Sequence, residues 1–96
     1  MKTYIVDIDG TICKTDGNNY KNSVPIQENI DKINKLYDEG EFIIYWTSRG
    51  NSTNMNLLIL TENQLYQWGC KHNSLRMGKP SYDVWVDDKS LQIEEL

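Results

Sequence analysis

Apolar positions in this chain fall in short blocks separated by polar, turn-rich stretches, and their period changes from block to block. Thr3–Ile8 (TYIVDI) is rich in β-branched and aromatic side chains and almost continuously apolar. That pattern predicts a strand buried on both faces, as in a parallel sheet. The next stretch, GTICKTDGNNYKNS, is polar, and its Asp16-Gly17 pair predicts a short β-hairpin flap. From Pro25 the period becomes helical. Ile26, Ile30, Ile33 and Leu36/Tyr37 recur on one face, and Gly40 closes the helix. Phe42–Trp46 (FIIYW) predicts a second buried strand, followed by a polar loop over Thr47–Asn56. Leu57–Gly69 reads as mostly helical, with T-E-N-Q from Thr61 resembling a capping box and Gly69 as the stop. Ser74–Met77 is a weaker strand, Gly78–Pro80 a turn, and Val84–Val86 (VWV) a short strand leading into Asp87-Asp88. Ser90–Leu96 closes the chain with a turn or two of helix.

Strands alternating with helices predict a doubly wound, mostly parallel α/β sheet of four or five strands, with the hairpin as a flap. Such sheets bind ligands beyond the carboxyl ends of their strands, and the polar clusters of this chain lie at such places.

Asp7 and Asp9 end the first strand. Spacing i, i+2 aims both carboxylates the same way, and Gly10 permits a tight turn. Two convergent carboxylates repel unless a cation or a proton intervenes. Such a pair can divide into an ionised nucleophile or metal ligand and a general acid/base. Alternatively, D-x-D-G is a polar strand exit and nothing more. Asp87 and Asp88 follow VWV. Brought beside the first pair they form an oxygen-rich site suited to Mg²⁺; otherwise they are a solvated strand end. Thr47, Ser48 and Arg49 follow the second strand. Hydroxyls and backbone N–H groups in a turn can hold phosphate oxygens, and Arg49 can add a forked contact to an anion. The same residues are also ordinary loop residues. Lys79, in Gly78-Lys79-Pro80, offers a point charge near the acidic edge. With Asp9 protonated, Mg²⁺ and Lys79 balance ionised Asp7, Asp87 and Asp88, so a phosphate dianion meets no net repulsion.

Composition narrows the partners. The chain has 96 residues, 10 Lys+Arg against 14 Asp+Glu, and a net charge of −4. It fits one domain, residues 1–96, with one core. No basic stripe suggests nucleic acid as a partner. The longest apolar runs, Phe42–Trp46 and Leu57–Leu60, are far short of the roughly 18–20 residues that span a bilayer. The acidic start MKTYIVDIDGT lacks a signal peptide's apolar centre, so a cytoplasmic location is expected. Cys13 and Cys70 form no C-x-x-C pair and are read as reduced thiols.

Four motifs in order, DIDGT (Asp7–Thr11), an apolar strand then Thr47, Lys79, and VDD (Val86–Asp88), resemble those of the haloacid-dehalogenase-like superfamily of Mg²⁺-dependent phosphatases. The wider run of TSR-GN, GKP and VDDK is similar to small phosphatases of capsule or surface-polysaccharide biosynthesis. The resemblance covers essentially the whole chain. It implies a Rossmann-like core and a phosphomonoester hydrolase that works through an aspartyl phosphate on Asp7, with Asp9 as acid and then base. It implies Mg²⁺ held by the Asp7 carboxylate, the Asp9 carbonyl and Asp88, with Asp87 in support. Thr47 and the Ser48 N–H would bind the phosphoryl group and Lys79 would neutralise it. Arg49 and the flap residue Tyr20 are candidate substrate contacts. Neither inter-motif interval leaves room for the family's cap domain, so the chain resembles a capless member. With four strands in the order 4-1-2-3 an open edge leaves room for a homo-oligomer. The implied substrate is a phosphosugar or another small phosphorylated metabolite. The alternatives are a non-hydrolytic phospho-acceptor or binding domain, and a phosphotransferase or mutase.

Overall fold

A computed structural model of the chain, describing residues 1–50 and 54–96, turns three of the apolar blocks into a parallel sheet. Its strands are β1 (Thr3–Val6), β4 (Phe42–Trp46) and β5 (Ser74–Arg76), in the order β1-β4-β5. Ile5 lies opposite Ile44, and Ile44 opposite Ser74. The flap is a second, antiparallel pair, β2 (Cys13–Lys14) with β3 (Val24–Pro25), with Cys13 facing Pro25. Its connection is longer than the Asp16-Gly17 pair alone predicts, and includes a 3-10 turn at Tyr20–Asn22. Asn51, Ser52 and Thr53, within the loop expected after the second strand, lie outside the described residues.

Helix α1 (Gln27–Asp38) follows the Ile stripe, with Ile30 and Ile33 fully buried. Gly40, at φ 93°, reverses the chain at its end. There the Gly40 N–H donates to the Tyr37 carbonyl and the Glu41 N–H to that of Leu36, satisfying two terminal acceptors. Helix α2 (Met55–Gln67) starts a turn and a half before the expected capping box. Asn54 is the cap, its side chain accepting the Leu57 N–H. Thr61 is therefore inside the helix and buried. Both helices enter one core, in which Ile30, Ile33 and Leu65 meet Val6, Ile43 and Tyr45. The chain closes with a 3-10 turn at Ile93–Glu95.

The expected strand at Val84–Val86 does not form. Val84 and Val86 are 76% and 92% exposed. Trp85 instead packs edge-on against Trp46 and Tyr82, which anchors the segment through one ring rather than through a hydrogen-bond ladder. Among the described residues the parallel sheet therefore has three strands, not four or five, and β1 is its edge. For that reason β1 is not buried on both faces: Ile5 is 59% exposed. Only β4, flanked on both sides, has the two-sided burial that its apolar run predicts, at Ile43, Ile44 and Tyr45. The α/β class, the parallel sheet and the flap are as the periodicity predicts.

Candidate active site

Asp7 emerges at the carboxyl end of β1, where the chain leaves the sheet. Its side chain is 36% exposed, and Oδ1 accepts the backbone N–H of Ile8. Lys79 Nζ stands 3.9 Å from the same oxygen. The lysine is placed by stitching between the loops after β4 and β5. Its N–H donates to the Thr47 carbonyl, and the Gly78 N–H to that of Gly50. Its ammonium is almost buried, donates to the Tyr82 hydroxyl at 3.3 Å, and lies over the rings of Tyr82 and Trp85 at 5.0 and 5.3 Å. Burial pushes the Asp7 carboxyl above its ordinary range, against the pull of Lys79 and the Ile8 N–H.

Asp9 has a different partner. Arg49 Nε and one terminal nitrogen donate to its two oxygens at 2.9 and 2.8 Å, a forked ion pair. The Thr15 hydroxyl donates to Oδ1, and the buried Cys13 thiol lies 3.5 Å from it. Burial raises the Asp9 carboxyl, but the hydrogen bonds from Arg49 and Thr15 and the charge of Arg49 outweigh it and hold the group below the ordinary carboxylate range. Cys13 is pushed the other way by burial, which suits a packed thiol rather than a nucleophile.

Of the two expected substrate contacts, Arg49 is fully buried. Tyr20 faces Arg49, with the guanidinium carbon 4.9 Å from its ring centre, and does not line the cleft beside Asp7. Thr47 is also fully buried, and its hydroxyl accepts the N–H of Arg49. Ser48, between them, is exposed.

A cleft of about 1150 Å³ opens between β1 and the C-terminal tail, with Asp7, Asp9, Lys79, Tyr82, Trp85 and Asp87 among its walls. Asp88 is not among them. The Asp87 oxygens accept the Trp85 indole N–H and the Lys89 backbone N–H, which lower its carboxyl. Among the described residues, no three His, Cys, Asp or Glu side chains gather where they could hold a metal ion. Of the expected metal ligands, Asp7, Asp9 and Asp87 share one cleft, and Asp88 lies outside its walls.

No family model matches the chain, and no curated protein matches it. Among solved structures it is similar to the crystal structure of a structural-genomics target from Vibrio cholerae. Sequence identity is 25%, the match covers 99% of this chain and 86% of that one, and the TM-score is 0.87. The shared feature is the Rossmann-like α/β arrangement.

Several residues at the site escaped the reading of the sequence. Thr61 and Gln64, buried on α2, both accept from Arg49, and Ser23 of the flap does so as well. Thr61 and Gln64 carried a signal. They sit at i, i+3 on the stripe that also holds Leu57, Leu65 and Trp68, and polar groups on a buried stripe need internal partners. Thr15, Ser23 and Tyr82 carried none, because turn residues of these types are common.

Proposed function

We propose that the chain is a phosphomonoester hydrolase of the haloacid-dehalogenase-like type, acting on a cytoplasmic phosphosugar or another small phosphorylated metabolite. The observation that carries this reading is the Asp7 carboxylate in an open cleft with the almost buried Lys79 ammonium 3.9 Å away. Phosphoryl transfer needs mainly a positioned nucleophile and a compensating charge. Asp7 attacks phosphorus, the bond to the ester oxygen breaks, and an aspartyl phosphate forms while Lys79 offsets the charge on the phosphoryl oxygens. The leaving oxygen takes a proton from bulk water in the open cleft, and the proton later accepted by Asp9 returns to that water. Water then attacks the intermediate, giving up a proton to the Asp9 carboxylate and releasing inorganic phosphate. The contacts from Arg49 and Thr15 keep Asp9 as the carboxylate, the form that can accept a proton. A Mg²⁺ requirement belongs to the proposal as a dependence to be measured, with Asp7, the Asp9 carbonyl and Asp88 as the residues that would hold the ion.

Phosphate release from phosphosugars, nucleotides and small esters, with Mg²⁺ or EDTA, tests the reading. Turnover is expected to vanish in Asp7→Asn and to fall roughly 10²–10⁴-fold in Asp9→Asn. Full activity in Asp7→Asn would remove Asp7 as the nucleophile. A phospho-acceptor domain is the second reading, favoured by the engagement of both Asp9 oxygens with Arg49. An aspartyl phosphate lasting minutes to hours would select it.

A further inference from the structure

Arg49 is a buried cation with hydrogen-bond partners on several sides. A guanidinium has five N–H donors in a rigid fork. Here Nε and one terminal nitrogen take the two Asp9 oxygens at 2.9 and 2.8 Å. The same terminal nitrogen reaches the Ser23 hydroxyl at 3.3 Å. The other terminal nitrogen donates to the Gln64 side-chain oxygen at 2.5 Å and to the Thr61 hydroxyl at 3.3 Å. The Cys13 sulfur lies 3.8 Å from the nitrogen that Ser23 shares with Asp9, and the Tyr20 ring lies 4.9 Å from the guanidinium carbon. The partners come from three separate elements: the exit of β1, the flap and α2.

We infer that Arg49 is a positioning residue for Asp9, holding both carboxylate oxygens in one orientation beside Asp7 from an anchor on the rigid α2 helix. This rests on the hydrolase reading above and assigns a role that this reading leaves open. Asp9 itself keeps 27% of its side chain exposed, on the wall of the cleft. A two-torsion carboxylate tied only at Oδ1, where Thr15 donates, still has freedom to turn. The fork removes that freedom, because a bidentate pair fixes the plane of the carboxylate as well as its position. Gln64 and Thr61 do the same for the guanidinium, and Gln64 is held in turn by donating to the Tyr20 carbonyl. Arg49 never touches substrate in this arrangement. Its effect is confined to the steps that Asp9 performs, and it leaves substrate affinity to Asp7, Lys79 and the cleft.

The test is a double-mutant cycle on Asp9→Asn and Arg49→Lys, with kcat, KM and the steady-state fraction of aspartyl phosphate measured for each protein. Lysine keeps the charge and loses the fork. Arg49→Lys is expected to lower kcat about 10²-fold, the scale of a small misplacement of a reacting group, with KM falling alongside so that kcat/KM is unchanged, and with aspartyl phosphate accumulating. The double variant is expected to match Asp9→Asn alone, since Arg49 has nothing left to position. Losses that multiply, or a raised KM with unchanged kcat, would overturn the inference. Should Arg49→Lys fail to fold, Gln64→Met removes one anchor of the guanidinium and leaves both charges. A smaller kcat loss that disappears in the Asp9→Asn background is expected, and persistence of that loss in the same background would overturn the inference. Wild-type turnover is measured first. Its absence sinks the hydrolase reading and this inference with it, whereas turnover with multiplying losses sinks the inference alone.

Discussion

Asp7 and Asp9 are two residues apart and are displaced in opposite directions, Asp7 up by burial and Asp9 down by Arg49 and Thr15. Each shift has a consequence for stability. The folded chain holds a proton on Asp7 more tightly than the unfolded chain does. The contribution of Asp7 therefore weakens as pH rises through its unfolded and then its folded value, and at neutral pH its charge opposes folding. Asp7→Asn is expected to raise the thermal midpoint at pH 7 while abolishing turnover, a trade of stability against activity that differential scanning fluorimetry and the phosphate assay read together. Asp9 behaves in the opposite sense. Its stabilisation is complete above its unfolded value and is lost as pH falls through the depressed folded value. Thr15→Val, which removes one hydrogen bond to the carboxylate, is expected to move the acid-unfolding midpoint to higher pH, followed by circular dichroism. An unmoved midpoint would separate Thr15 from the stability of Asp9.

Element by element, the site depends on loops that rest on well-buried supports. Helix α1 reaches the core through Ile30 and Ile33, neither of which is exposed. Ile33→Ala is expected to cost about 2–5 kcal/mol, a large share of the roughly 5–15 kcal/mol that holds a domain together; urea unfolding measures it. The loop after β4 depends on Gly50. It has φ of +67°, and a Cβ there would come 2.9 Å from Leu57 Cδ1. Its carbonyl also accepts the Gly78 N–H beside Lys79. Gly50→Ala is expected to cost about 1–2 kcal/mol for the left-handed conformation alone, with further loss of turnover through the displaced Lys79. Unchanged stability and activity would show that this loop tolerates the strain.

At the scale of the molecule, the Cα radius of gyration is 12.8 Å, close to the roughly 12.5 Å of a compact chain this long. Among the described residues no helix is long and apolar enough to cross a membrane. The open side of the sheet is the least ordinary feature. β1 has a free edge, and the tail crosses nearby with Val84, Val86 and Leu91 exposed. Because Val86 makes no strand contact, Val86→Asp is expected to change the unfolding free energy by no more than about 0.5 kcal/mol, as for other surface substitutions. A loss of several times that in urea titrations would mean that this segment pairs with β1 in solution.

Local order was already legible in the amino acids themselves. The apolar, β-branched runs of the strands, the Ile stripe of α1 and its glycine stop depend on near neighbours, and near neighbours are what a sequence displays. The lysine of the GKP turn was legible too, because Gly78 and Pro80 announce a rigid turn. What required the folded chain was every relation across long separations. Arg49 lies 40 positions from Asp9. As a loop arginine it reads as a substrate contact, and only packing against α2 and the flap makes it an internal cation. The same holds for VWV, whose composition suits a strand. Strand formation needs a partner edge as well as propensity, and here Trp85 finds Trp46 and Tyr82 instead of β1. Propensity is written residue by residue, whereas pairing is settled by the competition among contacts of the whole fold.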